Sequence, residues 1–167
     1  KLILTSKTYH IMKAVPEEVI ENIIEKSMDE ETANSSLQKL FEQHPQLAVY
    51  ATQENFDLLT EGEREVLQYS LLVIIQSAAI TLGKQPILDV TDLEKAEEDN
   101  WAIRSAAELK KFEQVIDTYF ESYHQEDLLA YVEDALIPDQ DSPVTPIGRE
   151  VLFIACKSLI DAIDKSN

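Results

Sequence analysis

The stretch Thr60-Glu61-Gly62-Glu63-Arg64-Glu65-Val66-Leu67-Gln68-Tyr69-Ser70-Leu71-Leu72-Val73-Ile74-Ile75-Gln76-Ser77-Ala78-Ala79-Ile80-Thr81-Leu82-Gly83 decides the fold. Thr60 followed three residues later by Glu63 is a capping box, Glu61 and Glu63 place negative charge at the positive end of a helix dipole, and Gly83 offers a left-handed stop. A helix of this span runs about 35 Å, the width of a small domain. Leu71 to Ile75 is apolar on every side, so its middle must be covered all round. Gln68, Ser70, Gln76, Ser77 and Thr81 interrupt the apolar run, which falls short of the ~20 predominantly apolar residues of a membrane span. The stretch reads as a buried central helix, residues 61–83.

Its natural partner is the last helix. Thr145 as cap and Pro146 at the first helical position open a segment over residues 146–164, in which Val151, Leu152, Phe153, Ile154, Ala155, Leu159, Ile160 and Ile163 are apolar on more than one face. These two segments are expected to pack as an inner pair. Upstream, Pro16-Glu17-Glu18 starts an amphipathic helix with the stripe Val19, Ile20, Ile23, Ile24 and Met28 and its acids outside. Residues 5–14 read as a short helix or an extended arm. Asp29 to Asn34 reads as a connection to a helix capped by Ser35 or Ser36, and His44-Pro45 breaks that helix and begins a short one.

Downstream of Gly83, Thr91 and Glu94 give a second capping box. Apolar residues at helical spacing, with no glycine or proline, predict one long helix to about residue 123, a joint at Ser122 to Gln125, and another helix from Glu126 to Leu136. Pro138 to Pro146 is a loop.

The chain of 167 residues is about one domain long, and 44% hydrophobic residues are enough for a core. Three glycines leave little material for hairpins or phosphate-cradling loops. No fixed repeat or long linker divides the chain. A single all-α domain over residues 1–167, a helical bundle of about six or seven helices, is therefore expected.

With 32 acidic against 14 basic side chains the formal charge is -18, which disfavours nucleic-acid phosphates and anionic membrane surfaces. Residues 86–141 carry 16 of the acids and four of the bases. Residues 1–10 hold three consecutive apolar side chains and no small-residue cleavage site, so no signal peptide is read there. The lone Cys156 fits a reducing, cytoplasmic setting.

Several constellations were weighed for chemistry. Glu121 and His124 form one Glu-x-x-His pair, half of a di-metal site, but neither His10 nor His44 has a glutamate three residues before it. Asp139, Asp141 and Glu150 fall at positions 1, 3 and 12 of an EF-hand-like loop, yet Val144 stands where the sharp turn needs glycine. Cys156 lies on an apolar helix with no neighbouring histidine and reads as a core side chain. Trp101, Phe112, Tyr119, Phe120, Tyr123 and Tyr131 form a row that either lines a ligand cavity or is simply core. No nucleotide-binding, nucleophile-elbow, zincin or paired-cysteine motif is present, and no cofactor is implied.

The remaining feature is acidic surface. Asp92, Glu94, Glu97, Glu98 and Asp99, with Glu133 and Asp134 further on, either solvate the protein or dock a basic partner. The expectation is a non-enzymatic interaction or regulatory protein that uses these seven residues. The rivals are a helical metal- or small-ligand-binding protein or enzyme using Glu121 and His124 or the aromatic row, and a self-associating protein that dimerises through residues 16–28 or the inner pair.

Overall fold

The computed structural model describes residues 11–167, and all regular structure among them is helical. Residues 5–10 of the expected N-terminal helix or arm lie outside the described residues, and 11–16 are not helical. Eight helices follow: α1 (Glu17–Lys26), α2 (Glu30–Gln43), α3 (Pro45–Ala51), α4 (Glu61–Leu82), α5 (Val90–Ala106), α6 (Phe112–Phe120), α7 (Glu126–Ala135) and α8 (Pro146–Ser166), with a single 3-10 turn at Glu54–Phe56. That exceeds the expected six or seven.

The central helix is as read. Thr60 accepts a hydrogen bond from the Glu63 amide, Glu63 reciprocates at the Thr60 amide, and Gly83 closes α4 with φ of 71°. Among the described residues α4 is the one helix long and apolar enough to cross a membrane. Its Leu71, Leu72, Val73, Ile74 and Ile75 are nevertheless at most 1% exposed inside the protein. They are covered because α1, α2, α7 and α8 all pack on α4. The expected pairing of α4 with α8 is present, but α8 packs still more extensively on α5. A continuous hydrophobic cluster runs from Met12 to Ile163, with Phe153 of α8 meeting Phe112 edge-on (5.4 Å) and Tyr119 at a tilt (5.3 Å).

Three boundaries differ from the sequence reading. Helix α2 begins at Glu30, because Asp29 caps it through the Thr32 amide (2.9 Å), ahead of Ser35 and Ser36. Helix α5 begins at Val90, capped by Asp89 through the amides of Thr91 and Asp92. The long helix expected to reach residue 123 ends at Ala106. There the Arg104 guanidinium reaches forward to donate to the carbonyls of Ala107 and Lys110 while forking onto both carboxylate oxygens of Glu150 in α8, at 3.0 and 3.1 Å. A side chain thus stops the helix without glycine or proline. The second joint is where it was expected, with Ser122 at φ of 53° in the left-handed region.

One carboxylate ties the starts of α4 and α8 together. Glu63 is 1% exposed; its Oε2 accepts from the Thr60 amide, and its Oε1 accepts from the Thr145 amide (2.8 Å) and the Thr145 hydroxyl (2.6 Å). The same Thr145 hydroxyl accepts from the Gly148 amide and so caps α8. Two positive helix ends therefore share one negative group.

Burial pushes the Glu63 carboxyl up, but hydrogen bonds from Thr145 and Thr60 outweigh it and hold the group below its ordinary value of 4.5. A depressed folded-state pKa adds stability that is complete above the unfolded value and disappears as pH falls through the folded one. Glu63→Gln should thus cost about 1–2 kcal/mol at neutral pH, and the gap between wild-type and variant melting temperatures should close below pH 4.5. A gap that persists unchanged to about pH 3 would contradict this linkage.

Candidate functional site

The acids of α5 are partly engaged within the protein. Asp92 pairs with Lys165 at 3.0 Å and accepts from the Ser166 hydroxyl, and the Lys165 hydrogen bond leads the causes that hold its carboxyl below the usual range. Asp99 pairs with Lys95 at 2.8 Å on the same helix. Glu94 and Glu98 are exposed and make no ion pair among the described residues, and Glu97 is half-buried beside Trp101. Helix α7 differs. Glu126, Asp127, Glu133 and Asp134 make no ion pair among the described residues. Asp127 instead accepts from the Glu17 amide (3.2 Å), supplying the cap that Pro16 lacks and seating α1 beside α7.

Two clefts open along this seam. The first, about 390 Å³, has a floor of Ile20, Ile24, Ala130, Tyr131 and Ala135, and its walls carry the carboxylates Glu17, Glu21, Asp127 and Asp134. The second, about 410 Å³, shares Ile24, Tyr131 and Ala135 and continues over Val66 and Tyr69 of α4, with Glu65 as its acid. Among the described residues no lysine, arginine or histidine lines either one. Repulsion between carboxylates concentrated in one place is relieved when a cation comes between them, so the seam favours positive charge above apolar surface. Of the seven sequence-predicted partner residues only Asp134 lines it; Glu133 stands next to it, half-buried, and the five on α5 lie on a helix that packs on α8.

From the sequence Glu17 and Glu21 read only as outer acids of an amphipathic helix, and Glu65 carries no reading of its own. Their meaning comes from the neighbour across the seam. Tyr131, shared by both clefts, has a buried hydroxyl without a hydrogen-bond partner among the described residues, and burial is the main cause that pushes its pKa up.

The other candidates scatter. Helix α6 stops at Phe120, so Glu121 and His124 do not lie on one helical face; His124 Nε2 instead contacts the Met12 carbonyl at 2.7 Å. No group of three or more His, Cys, Asp or Glu placed to hold a metal occurs among the described residues. In the loop Pro138 to Thr145, Asp139 accepts from the Asp141 amide and Val144 is buried. Cys156 is fully buried, and that burial pushes its thiol up to about 12, which removes the thiolate needed for nucleophilic or redox work. The aromatic row has no common wall: Phe112 and Tyr119 are core, Tyr123 joins a polar cluster, Tyr131 faces the seam, and Trp101 lines a separate cleft of about 480 Å³ with Phe56 and Leu58.

That polar cluster was not anticipated. Asp161 Oδ2 accepts from Lys157 Nζ (2.8 Å) and Asn100 Nδ2 (3.0 Å), Oδ1 accepts from the Tyr123 hydroxyl (2.6 Å), and Lys157 lies 4.4 Å from the centre of the Tyr123 ring. The signal was in the sequence: Lys157, Ser158 and Asp161 are the polar residues in the otherwise apolar middle of α8, residues 151–163. Every charge in the cluster is matched, so it reads as structural.

No protein-family model, curated protein or solved structure matches the chain.

Proposed function

We propose that the protein is a non-enzymatic, cytoplasmic interaction or regulatory protein whose acidic helical surface docks a basic partner. The observation that supports this reading most directly is the seam between α1 and α7, where four carboxylates and, among the described residues, no cation surround a cleft of about 390 Å³. The unpaired acids Glu94 and Glu98 extend the negative surface on α5, and the chain's charge of -18 supplies long-range attraction for a cationic partner. The alternative based on Glu121 and His124 has no supporting contact, since His124 is engaged with backbone. Dimerisation through α1 would bring the carboxylates Glu17 and Glu21 of that helix against a second copy of the same negative charge.

The test is binding of the full chain to a lysine-rich peptide, followed by fluorescence anisotropy at about 0.01 M and 1 M salt, where the Debye length falls from roughly 30 Å to 3 Å. Binding should weaken steeply with salt and weaken further in Glu133→Gln/Asp134→Gln. No binding at low salt, or binding indifferent to salt, overturns the proposal.

A further inference from the structure

Resting on that docking reading, we infer that the seam formed by α1, α4 and α7 receives one amphipathic helix of a partner protein, its apolar stripe on the floor and its lysines or arginines against the walls. The two clefts meet at Ile24, Tyr131 and Ala135, so they form one trough lined by both apolar side chains and carboxylates. An acidic surface alone would hold any cation. The apolar floor is what selects.

Shape favours a helix as the occupant. The floor residues recur at helical spacing, Ile20 and Ile24 on α1, Tyr131 and Ala135 on α7, Val66 and Tyr69 on α4, so the trough is walled by ridges that a fourth helix can interdigitate with. No strand occurs among the described residues, so no sheet edge is offered there for an extended peptide to join. Grooves for polyproline segments are rows of aromatic rings, whereas this floor is mainly isoleucine, valine and alanine. Charge decides between partners. A second copy of this chain, with 32 acids against 14 bases, brings like charge to the walls, as do phosphates. A basic helix brings the opposite sign, and each wall carboxylate it pairs with repels its neighbours less.

The experiment compares two synthetic peptides of identical composition, each of ~14 residues to match three to four helical turns. One places leucines at i, i+3, i+4 and i+7 with lysines flanking; the other scrambles the order so that no face forms. The amphipathic peptide should bind the full chain roughly tenfold or more tightly than its isomer, as expected when a few apolar anchors are buried. Ala135→Trp, a substitution at an exposed position in the trough, should abolish that preference, as should Glu21→Lys/Asp134→Lys, while Glu108→Gln/Asp117→Gln, at two exposed acids outside both clefts, leaves it intact. Melting curves of each variant confirm that the fold is kept. Equal, salt-sensitive binding of both peptides with no effect of Ala135→Trp overturns the trough and leaves the acidic docking reading standing. Binding of neither peptide at low salt overturns both. A dimer in sedimentation of the protein alone that Ala135→Trp dissolves would give the trough to a second copy and overturn the inference.

Discussion

Replacing Asp161 with alanine is expected to lower the unfolding free energy by about 3 kcal/mol, because it strands the Lys157 ammonium inside the protein without a counter-charge. Lys157 has a side chain only 8% exposed; in the same step the Tyr123 hydroxyl loses its acceptor, and Asn100 Nδ2 keeps only the Ser158 hydroxyl of its two. Breaking a buried pair costs about 3–5 kcal/mol; the 26% exposure of Asp161 places this one at the low end. For a chain of this size the melting temperature should drop by roughly 6–12 °C. Converting both partners, Lys157→Met with Asp161→Ala, should recover much of the loss, since no charge remains to be solvated. A single variant that melts within about 2 °C of wild type would show that water reaches Lys157 and replaces the carboxylate.

Gly148→Ala is the second large effect. A Cβ at this position would overlap Glu63 Oε1, and the Glu63 carboxylate is held by Thr60 and Thr145, so it is not free to swing aside. Either α8 backs away from α4, or the carboxylate leaves and its hydrogen bonds from Thr60 and Thr145 are lost. A loss of about 3 kcal/mol follows from combining overpacking with unmade buried hydrogen bonds. Denaturant unfolding measures it, with Ile147→Ala, 73% exposed on the same helical turn, as a control expected within about 0.5 kcal/mol of wild type. The cycle with Glu63→Ala gives a sharper reading. Once the carboxylate is gone, Gly148→Ala should cost little more, and additive losses would contradict the direct overlap.

The all-helical fold and its central helix were legible because each signal was local. Thr60 and Glu63 lie three residues apart, Gly83 terminates its own helix, and Leu71 to Ile75 announce burial by composition alone. The same locality hid the rest. Glu63 reads as one half of a capping box, and nothing nearby in the chain shows that its other oxygen serves Thr145. Arg104 looks like an ordinary helix residue until Glu150, 46 positions later, holds it in place to end α5.

The acids show the limit most clearly. Asp92 and Asp99 looked equivalent to Asp134 as sequence, yet the first two are bound to lysines and the third faces an uncompensated cleft. Charge composition is a property of the chain; pairing is a property of the fold. The Lys157, Ser158 and Asp161 cluster is the exception, being legible as polar residues in the apolar middle of α8.

The wrapping of α4 and α5 by α8 also sets a timetable for synthesis. Leu71 to Ile75 of α4 and Leu93 and Ala96 of α5 leave the ribosome well before Pro146 to Ser166, which help to cover them. At roughly 5–20 residues per second, the 63 positions between Leu82 and Pro146 correspond to several seconds in which that apolar surface waits for α8. Chaperone engagement on the nascent chain should be concentrated in that interval and end when α8 docks.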